Sequence, residues 1–193
     1  MSRTESAMLE LGTLAPDFTL PDVVSGRTVS LFKDFADKDV LLVMFICPHC
    51  PYVIHVQEEI AWLGRDYAAK SVGIVAVSSN DAQAYPTDSP DGMRAQAASL
   101  GFVFPYCYDE SQDVARAYHA ACTPEFYVFN RERKLVYRGQ LDNSRRNTPT
   151  PVTGWNVRTA IDNTLAGQPV DPDQRPSIGC NIKWRVAATA PQV

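Results

Sequence analysis

The sequence predicts an α/β sandwich in which helices flank a central mixed sheet. Residues 40–77 contain a short apolar run, an amphipathic helical segment and a second apolar run, the order of a β-α-β unit with parallel strands. Residues 126–137 contain two more strand-like segments around a polar turn, which predicts an antiparallel hairpin. Parallel and antiparallel strands together give the mixed sheet, and the remaining helical segments cover it.

The composition is that of a globular protein and argues against nucleic-acid binding. Hydrophobic residues make up 45% and charged residues 21% of the 193 residues, which excludes a disordered chain. Lys and Arg number 18 against 22 Asp and Glu, so the net charge is 18 − 22 = −4. A chain without a basic excess has little to neutralise phosphates, and we expect no nucleic-acid partner.

The chain is expected to be a soluble, cytoplasmic protein without a membrane partner. Residues 1–10 lack the apolar core of a signal peptide. The longest apolar run, residues 40–47, is less than half of the roughly 20 residues that span a bilayer. The five cysteines are odd in number and too few for a secreted disulfide scaffold, so a close cysteine pair is expected to be catalytic or metal-binding.

The first half of the chain supplies a hairpin and the β-α-β unit. Residues 17–20 and 28–31 alternate polar and apolar side chains around a turn at 24–27, which predicts an N-terminal β-hairpin, with an irregular arm as the alternative. Residues 40–46 and 72–77 are apolar throughout and predict buried strands. Between them, apolar residues recur at helical spacing, namely Val53, Val56, Ile60, Leu63 and Tyr67.

The second half supplies three helices and the antiparallel hairpin. Ser89 is a predicted N-cap followed by a proline, and Gly101 ends that helix. A short helix is predicted over 111–119, strands over 126–129 and 135–137, and a last helix over 155–166. We therefore divide the chain into a flexible N-terminus (1–10), one α/β domain (11–166) and a C-terminal tail (167–193) that packs on the domain.

The motif Cys47-Pro48-His49-Cys50 lies where the first buried strand meets the long helix. This spacing is predicted to place Cys47 at the helix N-cap, where backbone N–H groups and the positive helix end stabilise a thiolate. A protonated His49 would add to this effect. We expect Cys47 to be the exposed attacking thiol, and Cys50, one turn further into the helix, to resolve the mixed disulfide.

A structural zinc site is the main alternative for the motif. Such a site needs four ligands, usually from a second Cys or His pair at defined spacing. His55 and His119 stand alone in the sequence, and Cys107 and Cys122 lie 15 residues apart without a close partner. We therefore predict no metal, and expect Cys107 to be a core residue and Cys122 a packing residue.

Two further groups of residues have both a functional and a structural interpretation. Cys180 is either an additional redox thiol that reaches the site or a small buried residue that fixes the tail. Asn80, Asp81, Tyr85 and Asp88 follow the second buried strand, at the sheet edge where α/β proteins place ligands. They would either line a substrate groove or cap and solvate a loop.

Several segments together resemble one known group of proteins. They are residues 15–20, 44–53, 79–81, 122–126, 137–142 and 176–184. The chain resembles the thioredoxin-like superfamily, in its redoxin branch of proteins similar to alkyl hydroperoxide reductase and thiol-specific antioxidant. Within that branch it is similar to bacterial cytosolic thioredoxin-family proteins described as thiol-disulfide isomerases. The resemblance covers nearly the whole chain.

The resemblance implies a thioredoxin-like fold and a role for the segment before residue 126. Pro124 would form a cis-proline loop that faces the cysteine pair, and the backbone of Thr123 would pair with an incoming substrate strand. The Pro48-His49 dipeptide resembles that of disulfide-forming oxidants, in which this dipeptide favours the reduced, dithiol form of the cysteine pair. In a cytosol poised near about −250 mV, such a pair would rest reduced.

These observations predict a thiol-disulfide oxidoreductase in which Cys47 and Cys50 act on protein or small-molecule disulfides. No flavin or nicotinamide fingerprint is present, so we expect no cofactor and an external thiol reductant. A peroxiredoxin-like antioxidant peroxidase is the alternative, although Met44 stands where peroxiredoxins place a Thr or Ser. A copper- or zinc-carrying protein is the other alternative. Nothing in the sequence predicts the oligomeric state.

Overall fold

The structure is a computed structural model that describes residues 3–186. Within this range the strands are β1 (Arg3–Glu5), β2 (Thr19–Pro21), β3 (Thr28–Ser30), β4 (Val40–Phe45), β5 (Val72–Ser78), β6 (Tyr106–Tyr108), β7 (Cys122–Thr123), β8 (Glu125–Phe129), β9 (Leu135–Gly139) and β10 (Ile178–Asn181). The helices are α1 (Leu31–Asp34), α2 (Pro51–Tyr67), α3 (Pro90–Leu100), α4 (Asp113–Ala117) and α5 (Trp155–Leu165). A 3₁₀ turn covers Pro86–Asp88.

The predicted mixed α/β sheet is confirmed. Its strand order is β6-β5-β4-β8-β9, with β4 parallel to β5 and antiparallel to β8. Alternate side chains of β4 enter two apolar layers: Leu42 and Met44 pack with α2, α3 and α5, whereas Val43 and Phe45 pack with α1, α4 and the N-terminal hairpin. Because both faces of β4 are covered, its sequence is apolar throughout instead of alternating.

The predicted elements appear with small changes at their ends. The N-terminal hairpin forms from β2 and β3, and the second hairpin from β8 and β9. The helix predicted over 111–119 is reduced to α4, because Gln112 and His119 on either side adopt left-handed backbone conformations with φ of 66° and 51°. Helix α2 has 17 residues, and none of the helices in the described range is both long and apolar enough to cross a membrane.

A second, three-stranded sheet of order β1-β10-β7 was not expected from the sequence. It includes β1, which lies in the N-terminal segment predicted to be flexible, and β10, which lies in the predicted tail. Strand β10 pairs in antiparallel fashion with both β1 and β7, and so links the N-terminal segment and the tail to the segment before Pro124. Residues 187–193 of the predicted tail lie outside the described range.

Candidate functional site

The cysteine motif connects β4 to α2 as predicted, but the helix begins one turn later than predicted. Helix α2 starts at Pro51, and its N-cap is Cys50, which has an extended backbone (φ −70°, ψ 118°). A proline disfavours the helical conformation of the residue before it, so Pro51 fixes this start. The prediction that Cys47 caps the helix is therefore wrong, and the helix end acts on Cys50 instead.

The two thiols of the motif lie below the surface. Cys47 and Cys50 are both 0% exposed, so the expectation of an exposed Cys47 is also wrong. The Cys47 Sγ atom lies 3.4 Å from Thr123 Oγ1 and 3.9 Å from His49 Nδ1. Pro48 and His49, which separate the two cysteines, are partly buried and form the part of the motif nearest to solvent.

The segment before β8 supplies the opposite side of the site. The Thr123–Pro124 peptide bond is cis, as the resemblance implied. In its thiol form, Cys50 donates a hydrogen bond to the carbonyl oxygen of Thr123, with an Sγ–O distance of 3.1 Å. Thr123 therefore contacts both sulfurs, Cys47 through its hydroxyl and Cys50 through its backbone.

The reduced pair favours a negative charge on Cys50 instead of on Cys47. A hydrogen bond from Cys47, assisted by one from the backbone N–H of Val53, lowers the pKa of Cys50 to about 5 against the opposing effect of burial. The same bond to Cys50, burial and the nearby Asp88 carboxylate raise the pKa of Cys47. The thiolate that was predicted at Cys47 is therefore favoured at Cys50 instead, since Cys50 occupies the N-cap position of α2.

A buried carboxylate lies behind His49. Asp88 is 0% exposed and accepts hydrogen bonds from the backbone N–H of His49 (3.0 Å), from the His49 ring at Nδ1 and from Asn80 Nδ2 (2.8 Å). The His49 ring also stacks on Tyr85, with ring centroids 5.3 Å apart. Asn80 and Asp88 therefore hold His49 in place, which differs from both the open groove and the solvated loop considered for them.

The C-terminal tail is tied to this cluster through Asn80. The Asn80 Oδ1 atom accepts a hydrogen bond from the backbone N–H of Lys183 (2.8 Å), while the backbone N–H of Asp81 donates to the Lys183 carbonyl (2.9 Å). The Lys183 ammonium lies 5.6 Å from the centre of the Tyr85 ring. A continuous chain of contacts thus runs from the tail through Asn80 and Asp88 to the cysteine motif.

The tail also covers the backbone edge at Thr123. Strand β10 pairs with β7 so that Cys180 lies opposite Thr123, and a hydrogen bond joins the thiols of Cys180 and Cys50. The expected pairing of Thr123 with a substrate strand is therefore not open in this structure, because the chain's own strand uses that edge. No local pattern in the sequence indicates this long-range pairing.

The other two cysteines, Cys107 and Cys122, are buried and pack against other groups. Burial raises the pKa of Cys122, whose Sγ atom lies 3.9 Å from a carboxylate oxygen of Glu125. Burial likewise raises the pKa of Cys107, which packs on the opposite face of the sheet with Phe45. Both agree with the core and packing roles expected for them.

Three side chains of the site could together contact a metal ion. The candidate ligand atoms of Cys47, His49 and Asp88 lie within 4.8 Å of one another. The set is one ligand short of the four of a structural zinc site. The sequence indicated Asp88 only as a groove or loop residue, because it lies 39 residues from His49 and no spacing pattern connects the two.

Comparison with known families identifies the family of this chain. The model of the redoxin family matches residues 10–153, well over half of the chain. The chain belongs to the redoxin family. The resemblance to the redoxin branch of the thioredoxin-like superfamily is thereby confirmed. No curated protein matches this redoxin.

Solved structures agree with the family and the fold. The redoxin is 53% identical to an uncharacterized conserved protein from Geobacillus kaustophilus, with 97% of this chain and 99% of that chain covered and a TM-score of 0.94. It is 46% identical to a hypothetical protein from Sinorhizobium meliloti, with 95% and 100% covered and a TM-score of 0.93. A thioredoxin-family thiol:disulfide interchange protein from Chlorobium tepidum is 14% identical, with 81% and 98% covered and a TM-score of 0.62, which shows the shared fold.

Proposed function

We propose that this redoxin is a thiol-disulfide oxidoreductase whose Cys47–Cys50 pair cycles between dithiol and disulfide. The observation that carries the proposal is the contact of both sulfurs with Thr123, beside the cis bond to Pro124, at the start of α2. Family membership supports a thioredoxin-like redox function in general. The two neighbouring thiols at Thr123 support disulfide exchange as the specific reaction.

The exchange begins at Cys47, which is followed by the partly buried Pro48 and His49, whereas Cys50 is enclosed by Thr123 and by the tail. The proton of Cys47 passes along the bond between the two sulfurs to Cys50. The Cys47 thiolate then attacks one substrate sulfur and releases the other as a thiolate. Cys50 gives its proton to the released substrate thiolate and attacks the Cys47 sulfur, which frees the second substrate sulfur as a thiolate and leaves the Cys47–Cys50 disulfide.

The substrate gains two electrons in this reaction, and an external thiol reductant returns them to the pair. No cofactor takes part in either step. We place the reaction on protein or small-molecule disulfides in the cytoplasm, where a pair whose Cys50 pKa is about 5 would rest in its reduced form. Since Cys47 has no exposed surface, docking of a substrate displaces Pro48 or His49.

A mixed-disulfide trap tests the function and the order of attack. In Cys50→Ser, a disulfide substrate is expected to remain covalently attached to Cys47, because the resolving sulfur is absent. Cys47→Ser is the matched control and should trap nothing through Cys50. Capture of substrate only in Cys47→Ser would reverse the two roles, and insulin disulfides left intact by the wild type would refute the proposal.

Two further measurements separate the proposal from its alternatives. Rapid consumption of hydrogen peroxide that is lost in Cys47→Ser would assign a peroxidase to the same pair. Stoichiometric metal that stays bound during mild chelation would assign Cys47, His49 and Asp88 to metal carriage. Disulfide reduction without either property is the expected result.

A further inference from the structure

Cys180 occupies a defined position opposite the cysteine pair. Strand β10 is antiparallel to β7, and the register places Cys180 directly across from Thr123. The carbonyl oxygen of that same Thr123 lies 3.1 Å from Cys50 Sγ. Backbone pairing therefore brings Cys180 to the residue that already contacts Cys50.

The close approach of β10 to this loop depends on Gly179. A Cβ atom at Gly179 would lie 1.9 Å from the carbonyl oxygen of Thr123, a distance that no side chain tolerates. The absence of a side chain allows β10 to lie directly against the cis-proline loop. Strand β1 covers the other edge of β10, with Arg3 across from Cys180, so the strand is held from both sides.

The Cys180 thiol itself lies against Cys50. Cys180 is 1% exposed, packs in the same apolar layer as Cys47 and Cys50, and is hydrogen-bonded to Cys50. Cys122 precedes Thr123 in β7, and successive side chains of a strand point to opposite faces of the sheet. Because Cys180 lies across from Thr123, the side chains of Cys122 and Cys180 point in different directions. The Cys122 sulfur lies 3.9 Å from a carboxylate oxygen of Glu125, whereas the Cys180 thiol is hydrogen-bonded to Cys50.

We propose that Cys180 is a third redox thiol that exchanges with the Cys47–Cys50 disulfide. The Cys180 sulfur attacks Cys50, a bond forms between Cys50 and Cys180, and the bond between Cys47 and Cys50 breaks. The proton of Cys180 passes to Cys47, which leaves as a thiol. No external oxidant is needed, because one disulfide and one thiol are exchanged for another disulfide and another thiol.

This inference rests on the proposed redox function and assigns it a second oxidised form. In that form the disulfide joins α2 to β10, and Cys47 is a thiol again while the protein remains oxidised. Cys47 can then meet a second substrate before a reductant regenerates the pair. Cys50 becomes the sulfur common to both disulfides, which agrees with its central position between Cys47 and Cys180.

Disulfide mapping after oxidation with diamide tests the proposal. Wild-type protein, Cys47→Ser, Cys180→Ala and Cys122→Ala are oxidised, blocked with N-ethylmaleimide in acid and digested for mass spectrometry. We expect Cys47→Ser to form the Cys50–Cys180 disulfide, and Cys122→Ala to give the same disulfides as the wild type. The proposal is overturned if wild-type protein forms the Cys47–Cys50 disulfide while Cys50 and Cys180 of Cys47→Ser both remain alkylated.

A second measurement avoids dependence on the folding of Cys47→Ser. Oxidised wild-type protein is treated with iodoacetamide, and the alkylation of Cys47 is followed. We expect alkylation of Cys47 in the oxidised wild type and its loss in Cys180→Ala, where only the Cys47–Cys50 disulfide can form. Equal alkylation in both proteins contradicts the proposal. Failure of the wild type to form any disulfide at Cys50 would instead refute the proposed function itself.

Discussion

Asp88 acts on two residues of the motif with one buried carboxylate. It accepts two hydrogen bonds from His49, and its charge raises the pKa of Cys47. The Asp88 carboxylate thus holds the His49 imidazole in place and disfavours the thiolate form of Cys47. Substitution of Asp88 is therefore expected to change the acidity of the attacking sulfur.

Replacement of Asp88 by Asn should lower the pKa of Cys47, because the negative charge next to it disappears. The variant should also lose about 1–3 kcal/mol of unfolding free energy, since buried donors of His49 and Asn80 lose a charged acceptor. The pKa is measured from the pH dependence of iodoacetamide alkylation in a Cys50→Ser background, and stability from urea unfolding. Asp91→Asn, at an exposed carboxylate paired with Arg94, is the control and should change neither value.

Cys50 should make the stability of the reduced protein depend on pH. Its pKa is about 5 in the fold against about 8.5 in an unfolded chain. A lowered pKa contributes its full stabilisation at pH values above the pKa of the unfolded chain. This contribution is lost as the pH falls through about 5. Between these limits, the unfolding free energy of the reduced protein should rise relative to the oxidised protein, by at most about 1.4 kcal/mol per pH unit.

Comparing the unfolding free energies of reduced and oxidised protein removes the opposing pH dependence that Glu125 contributes. Burial raises the pKa of Glu125 to about 7, so this residue stabilises the fold at low pH and loses that contribution as the pH rises through 7. Because Glu125 is present in both redox forms, its effect cancels in the difference between their urea-unfolding free energies. A difference that stays constant from about pH 5 to 8.5 would contradict a low pKa at Cys50.

Among the elements, β10 lies against the cis-proline loop because residue 179 has no side chain. Gly179→Ala should force β10 away from Thr123, lower the unfolding free energy by about 1–3 kcal/mol and expose Cys50 to alkylation. Gly167→Ala, in the same tail, is the control. Gly167 has open space around it but a left-handed φ of +66°, so alanine should cost about 1 kcal/mol without changing the alkylation of Cys50. Equal alkylation in the two variants would show that β10 does not shield Cys50.

The central elements were predictable because each carries its own local signal. Strand β4 is apolar along its full length, and α3 has Ser89 as N-cap and Gly101 as C-cap, as the sequence indicates. The later start of α2 was also encoded locally, by the effect of Pro51 on Cys50, but the Cys-x-x-Cys spacing suggested an earlier start. Local patterns therefore predicted the elements better than their first residues.

The site was only partly predictable, since several of its contacts join distant segments. The cysteine pair and the cis bond at Pro124 followed from a motif and a resemblance. The bond between His49 and Asp88 and the pairing of Cys180 with Thr123 connect residues far apart in the chain. Such contacts leave no periodicity in the sequence, and local patterns therefore do not predict them.

At the scale of the whole molecule, both ends of the described chain support the site. Strand β1 pairs with β10, and Ser6 exchanges two hydrogen bonds with Ser177, at 3.0 and 2.9 Å. The N-terminal segment from Arg3 to Ser6 therefore stabilises the strand that carries Cys180.

Deletion of residues 1–6 should loosen β10 without unfolding the central sheet. We expect backbone amides of β10 to exchange with deuterium about tenfold faster or more, equivalent to about 1.4 kcal/mol of lost local stability. Hydrogen exchange followed by mass spectrometry measures this, and the amides of β4 serve as the internal control. Unchanged exchange in β10 would show that β7 alone holds the strand.

Asn80 links the backbone of the tail to the cysteine motif. Its side chain accepts from the Lys183 amide and donates to Asp88, which in turn holds the His49 ring. A change of protonation or of sulfur bonding beside His49 is therefore transmitted to one backbone nitrogen. In a ¹⁵N-labelled sample, the Lys183 amide resonance should shift on oxidation and serve as a natural NMR probe of the site.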